Sequence, residues 1–191
     1  MDLAGRLAQA MRAAVAGIAE AGPFLALWPE GGARRGQVPV RLPVCRWLEG
    51  LGGGLTGGLT GEVAAAVDAL EWRQTYGAGD FGAGFLERYG WTEVVGLRGP
   101  IASERVAAGF LLLGPEVTYP PHAHAAEELY LPLSGVAWWQ RGDAPFAQVP
   151  PGEAIHHAPW VPHAMRTGAE PLLALYLWRG GDLAAKSVIL G

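Results

Sequence analysis

The sequence predicts a mainly β protein, a small sandwich or barrel preceded by an α-helical N-terminal segment. Three observations carry that prediction. From Trp91 onward, β-prone runs at 91–97, 106–113, 128–133, 136–140, 147–149, 154–157, 164–167 and 172–178 are separated by Gly, Pro or Asp. Short strands at such spacing are the pattern of a sandwich or barrel. Before Trp91 the apolar residues instead recur at helical spacing. The 29 glycines and 15 prolines supply the turns that so many short strands require.

Residues 2–21 read as a helix. Asp2 is placed to cap it, and Leu3, Leu7, Met11, Ala14 and Ile18 line one face. Gly22-Pro23 is the expected stop. The stretch up to Pro43, with Pro29, Gly31, Gly32 and Pro39, reads as irregular. A short helix is predicted over 44–51, then a glycine-rich loop or hinge over 52–58. That run follows no strand and lacks a Gly-Lys-Ser/Thr ending, which argues against a phosphate-binding loop. A further helix is predicted from Thr60 to Tyr76, with Val63, Val67 and Leu70 on one face, and a glycine-rich link over 77–84 follows. The expected division is a helical segment over 1–90 packed on a barrel over 91–191.

Half of the residues are apolar and 17% are charged, a balance that belongs to a folded domain rather than a disordered one. A net charge of −4 gives no electrostatic reason to expect nucleic acid or an anionic membrane as partner. Cys45 is the sole cysteine, so no intrachain disulfide forms, and it reads as a small core residue. The N-terminus lacks the basic-then-apolar order of a signal peptide. No run approaches the ~18 uninterrupted apolar residues of a membrane span. The expectation is a cytoplasmic monomer or homodimer acting on a small molecule.

The chemistry concentrates in one place. All five histidines lie between residues 122 and 163, and His122-x-His124-x3-Glu128-x6-Gly135 is followed by Pro162-His163. If 122–130 is extended, alternation puts His122, His124, Glu128 and Tyr130 on one face, with a turn or bulge as the alternative. Two imidazoles and a carboxylate meeting a third imidazole make a mixed N/O site for a divalent first-row metal: Fe, Mn, Zn, Co or Ni.

The run from His122 to Gly135 resembles the first motif of the cupin superfamily, and the segment around His163 resembles the second. The resemblance implies a double-stranded β-helix barrel. Glu116 stands where the first motif's leading glycine would fall. Trp160 and Thr167 stand where the second commonly has a turn glycine and an asparagine. Tyr119-Pro-Pro-His-x-His-x-Ala-x-Glu-x-Tyr, Leu-Ser-Gly-x-Ala-x-Trp and Pro-His-Ala-Met-Arg-Thr narrow the likeness, over about residues 115–180, to the cupin-type dimethylsulfoniopropionate (DMSP) lyases. That resemblance implies a metal-dependent β-elimination of DMSP to dimethyl sulfide and acrylate. By it, His124, Glu128 and His163 are ligands and Tyr130 is at the metal as base. His122 is a further ligand or close neighbour. Tyr119 and Trp178 line the substrate pocket; taken on its own, Tyr119 reads as a pocket hydrogen-bond donor, a secondary base or a packed edge residue, with the pocket role preferred.

These residue types suit the reaction. Elimination removes the proton beside the substrate carboxylate, where a metal-bound carboxylate stabilises the developing charge. A free tyrosine titrates near ~10, and a neighbouring divalent cation favours its phenolate. Of the eight tryptophans, Trp138, Trp139, Trp160 and Trp178 fall in the barrel half, and Trp178 is taken as the wall for the sulfonium. Glu127 is expected to point outward and Arg166 to pair on the rim; His156 and His157 read as loop residues, the alternative being that one points inward to support the ligands or relay a proton. Two alternatives stay open: another metal-dependent cupin enzyme such as a dioxygenase or sugar isomerase, and a non-catalytic cupin that binds a small ligand.

Overall fold

The computed structural model describes residues 1–49, 51 and 58–190. Among these, twelve strands form two sheets. The larger runs β1 (Trp72–Arg73), β2 (Tyr89–Gly96), β4 (Val106–Leu113), β11 (Leu172–Arg179), β6 (Glu127–Ser134) and β9 (Ile155–His157), with β3 (Ile101–Ala102) beside β2. The smaller runs β12 (Val188–Ile189), β5 (Thr118–Ala123), β10 (His163–Thr167), β7 (Ala137–Arg141) and β8 (Ala147–Val149). From β4 onward the chain crosses from one sheet to the other at almost every connection, only the β7–β8 hairpin staying within one. This is the double-stranded β-helix of the cupins, and its interior faces close on each other.

The larger sheet is buried on both sides, and side-chain alternation divides its labour. On β6, Leu129, Leu131 and Leu133 face outward; on β11, Leu173, Leu175 and Leu177 do the same. They pack with Leu7, Met11 and Val15 of α1 (Leu3–Val15) and with Val63 of the later helix α3 (Gly58–Ala65). The intervening positions Tyr130, Ala174 and Tyr176 face the barrel interior, where they meet Tyr119, Trp139 and Met165 of the smaller sheet. The N-terminal helices thus cover the outer face of the sheet that carries part of the site.

Several predicted boundaries move. Asp2 caps α1 as expected, its Oδ1 accepting from Gly5 N at 2.8 Å, but the helix ends at Val15 instead of continuing to 21. Gly22-Pro23 opens a new helical turn, α2 (Gly22–Leu25), because proline in a first turn forfeits no intrahelical bond. The helix expected over 60–76 is shorter. After α3 comes a 3-10 turn at Val67–Ala69, and the chain then extends so that Trp72 and Arg73 pair with Thr92 and Trp91. The link at 77–84 contains helical turns α4 (Ala78–Phe81) and α5 (Ala83–Leu86). The segment over 44–51 forms a 3-10 helix, Pro43–Leu48, that buries Cys45. The hinge expected at 52–58 lies outside the described residues, except Gly58, which begins α3.

The departures from the cupin motifs have structural counterparts. Glu116 and Trp160 adopt φ of 53° and 62°, the left-handed conformation that favours glycine. Each is tied in place: Glu116 N donates to Gly168 O and Trp160 N to His124 O, both at 2.8 Å. Thr167 braces the first of these turns, its hydroxyl donating to Gly114 O at 2.7 Å and accepting from Val117 N at 3.0 Å. At Gly135, with φ of 75°, a Cβ would come within 1.9 Å of Pro171 O, so the motif's final glycine is obligatory. No helix among the described residues is long and apolar enough to cross a membrane.

Candidate metal centre

Of the two readings of 122–130, extended run or intervening turn, the structure takes the turn, and the segment is two strands. β5 ends at Ala123 in the smaller sheet, the chain turns through 124–126, and β6 begins at Glu127 in the larger. Strand parity therefore does not bring the ligands together; barrel closure does. His122 lies opposite His163 in the β5–β10 pairing, His124 sits in the turn, and Glu128 enters from the facing sheet. One nitrogen from each of His122, His124 and His163 lies within 4.8 Å of the others, and all three rings are buried. Glu128, wholly buried, brings Oε2 to 3.0 Å from His124 Nε2 and 3.2 Å from His163 Nε2.

The donor set fits a cation. Nδ1 of His122 donates to Pro120 O at 2.8 Å, Nδ1 of His124 to Ala126 O at 2.9 Å, and Nδ1 of His163 to Val161 O at 2.9 Å. A carbonyl can only accept, so each neutral ring carries its proton on Nδ1 and presents a lone pair at Nε2, the outer-shell pattern of metal-ligating histidines. At 3.0 Å, neutral His124 Nε2 and Glu128 Oε2 would face each other acceptor to acceptor. The buried Nε2 of His163 has no hydrogen-bond partner among the described residues. A positive charge belongs between these atoms, and a divalent ion supplies it to all of them at once.

Electrostatics agree. Burial pushes the Glu128 carboxyl up, but His124 and His163 outweigh it and hold the group well below the carboxylate range. Burial lowers the His124 imidazole, and Glu128 more than reverses that. His122 is held down to about 3, first by burial and then by His163.

The other sequence candidates fall around this cluster. Trp178 donates from Nε1 to Glu128 Oε1 at 2.6 Å, and its ring lies 4.2 Å from that of His124. Tyr130 follows Glu128 on the same inward face, pairs across the sheet with Tyr176, and packs on Trp139 at 4.9 Å. Burial, then the Glu128 charge, push its hydroxyl well above 10. Tyr119 stacks on His122 at 4.1 Å and shares a 2.8 Å hydrogen bond with Tyr76 Oη. A cavity of about 330 Å3 opens beside Glu128, Tyr119, Tyr130 and Trp178.

Other assignments change. His156 and His157 are on strand β9, not in a loop. His157 points inward opposite Glu128 and stacks on His163 at 4.1 Å, while His156 bonds Glu127 at 2.8 Å. Glu127 faces outward as expected, but it is half-buried and also pairs with Arg179. Arg166 lies over the Trp138 and Phe146 rings and, among the described residues, pairs with no acid. Trp139 is barrel core and Trp160 is exposed.

Sequence reading missed much of the cavity wall: Arg73, Glu93 and Arg98 from one side, Tyr176 from β11, and Lys186 from the C-terminal segment. Two signals were available. Tyr176 occupies the same parity as Trp178, and Glu93 is a single acid among the apolar residues of its strand.

The family model for DMSP lyase matches residues 26–174. Dimethylsulfoniopropionate lyase DddQ of Ruegeria pomeroyi is 34% identical over 169 residues, which span 87% of this chain and 83% of that protein. A chain from the crystal structures of the DMSP lyases RdDddP and RnDddQII superimposes with a TM-score of 0.88 at 30% identity, covering 99% of this chain and 98% of its own. The crystal structure of DMSP lyase DddQ from R. pomeroyi gives 0.81 at 31% identity, covering 96% of each. The family model covers most of the chain, and the fold is shared with solved DMSP lyases over nearly the whole length, so the chain belongs to the DMSP lyase family.

Proposed function

We propose that the protein cleaves DMSP to dimethyl sulfide and acrylate by β-elimination at this site, with His122, His124, Glu128 and His163 holding a divalent metal. The observation that carries the reading is the tautomer lock: three Nδ1–H groups spent on carbonyls leave Nε2 lone pairs beside a buried carboxylate, at the wall of a cavity. A divalent ion held there would act as a Lewis acid on the substrate carboxylate and would favour the phenolate of Tyr130.

The chain's own groups do the rest. Tyr130 takes the proton from the carbon next to the substrate carboxylate. The electrons of that C–H bond form the new double bond, and the C–S bond breaks to release neutral dimethyl sulfide. Left alone, a phenol buried beside Glu128 keeps its proton, so the base and the ligand set work as one unit. Trp178 orients Glu128 by its indole N–H while presenting its ring to the cavity. Tyr119 closes the same side and is held there through Tyr76. α1 and α3 support the sheet from outside. The division into a covering segment over 1–90 and a barrel over 91–191 is part of this proposal.

Headspace detection of dimethyl sulfide tests it. Purified protein is given DMSP with Fe, Mn, Zn, Co or Ni, with chelator, and as Tyr130→Phe. Metal-dependent release that the substitution abolishes is the expected result. Absence of release with every metal would overturn the lyase assignment.

A further inference from the structure

Glu93 is a buried acid that the proposed chemistry does not use. It lies on β2, and the strand registers place it in one inward row with Gly109, Tyr176 and Tyr130, across β2, β4, β11 and β6. The row lines the cavity, with Tyr130 at one end and Glu93 at the other. Gly109 lets the Tyr176 hydroxyl and the β2 backbone close over the middle of the row: a Cβ there would stand 1.9 Å from Thr92 O and 2.8 Å from Tyr176 Oη. Glu93 is 5% exposed, on that wall.

Its bonding is lopsided. Oε1 accepts from Arg98 N at 2.5 Å and Gly99 N at 2.8 Å, which braces the turn after β2. Among the described residues no hydrogen bond reaches Oε2 and no cation pairs with the carboxylate. The cationic side chains on the same wall make their close contacts elsewhere. Arg73 pairs with Glu71 at 2.5 Å, Arg98 donates to Leu183 O and Ala184 O, and Lys186 pairs with Asp80 at 3.0 Å. Burial pushes the Glu93 carboxyl up, and the two backbone N–H groups and the more distant charges of Arg98 and Arg73 offset that only in part. A turn brace requires one acceptor oxygen. It leaves the second oxygen, on the cavity wall, unexplained.

Dimensions decide what fits between. Three strand steps separate β2 from β6, roughly 14 Å between backbones. The carboxylate carbon and the sulfur of a β-sulfoniopropionate lie about 4 Å apart by bond lengths. With the carboxylate at the histidine cluster, its cation extends along the row toward Tyr176 and Glu93, and inward-reaching side chains fill the remainder.

We infer that Glu93 is the counter-charge for the cationic end of the substrate, a specificity-determining residue that selects an onium group over an uncharged isostere. The inference rests on the reading of DMSP as substrate class. Tyr176 supplies the ring beside it, and the Trp178 ring continues the wall toward Glu128.

Calorimetric binding to the metal-loaded protein tests it without turnover, using 3-(trimethylammonio)propionate and its neutral isostere 4,4-dimethylpentanoate. Wild type should bind the cationic probe roughly ten-fold tighter than the neutral one, as a desolvated charge pair requires. Glu93→Gln keeps an acceptor for the two N–H groups. It should bring the probes to within about three-fold of each other by weakening the cationic one alone. Glu93→Asp should keep the preference, and the wild-type comparison stands even if the glutamine variant fails to fold. Equal binding of both probes by wild type, or equal weakening of both by Glu93→Gln, would overturn the inference. Dimethyl sulfide release by wild type, measured in parallel, separates failure of the lyase reading from failure of this one.

Discussion

Trp178 Nε1 donates to Glu128 Oε1 at 2.6 Å, so that only Oε2 of this buried carboxylate faces His124 and His163. An indole on β11 thereby sets the orientation of an acid on β6. Trp178→Phe keeps a ring against His124 and deletes the N–H. Metal affinity should fall about ten-fold, the lower end for loss of an outer-shell partner. Competition with a chromophoric chelator measures this independently of activity, and unchanged affinity would remove Trp178 from the ligand support.

The metal-stripped protein should lose stability in acid over a defined window. Burial holds His157, and burial with His163 holds His122, down to about 3. Unfolded histidine titrates near ~6.5. The unfolded chain therefore binds protons that the folded chain refuses, so stability is full above about 6.5 and drains away as pH falls toward 3. His124, raised by Glu128, acts in the opposite sense, its contribution being lost as pH rises through its folded value. Urea midpoints against pH should slope downward through the window, and His157→Phe should flatten the slope.

The C-terminal segment crosses the cavity mouth and is pinned by Lys186 to Asp80 at 3.0 Å and to the Tyr76 ring at 5.0 Å. Two left-handed glycines, Gly180 and Gly181, precede it. Asp80→Asn should free it locally, seen as faster tryptic cleavage after Lys186 at unchanged melting temperature. A lower melting temperature instead would mean that the pin belongs to the global fold.

Glu116 and Trp160 hold left-handed backbone without being glycine. Relief of about 1–2 kcal/mol exceeds the ~0.5–1 kcal/mol entropic cost of glycine. Glu116→Gly and Trp160→Gly should each stabilise by roughly 0.5–1 kcal/mol, read as a higher urea midpoint. Trp160 is 58% exposed, so its removal forfeits little packing.

The ligand candidates were legible in sequence because residue type and order survive whatever the backbone does between them. Their geometry was legible only in part, since sequence left a single strand and an intervening turn as alternatives and the chain takes the turn, with His124 in it. Helix lengths were overestimated because apolar spacing in 60–76 does not register that Trp72 has a strand partner twenty residues on, at Thr92. Glu93 and Lys186 escaped notice for a similar reason: their place on the cavity wall is a product of sheet order and chain return, which no local pattern encodes. Thr167 shows the converse, a departure from the usual asparagine whose hydroxyl still bonds both sides of the turn.

The two-sided burial of the larger sheet has a consequence for how such a protein changes over generations. Leu129, Leu131 and Leu133 alternate with Glu128 and Tyr130, and Leu173, Leu175 and Leu177 alternate with Ala174, Tyr176 and Trp178. One set of positions answers to the helices and the other to the ligand. Mutation can therefore explore new substrates in the second set while the first keeps the chain folded. A combinatorial library confined to the inward positions 174, 176 and 178 should yield far more soluble variants with altered pockets than one of equal size drawn from the leucines between them.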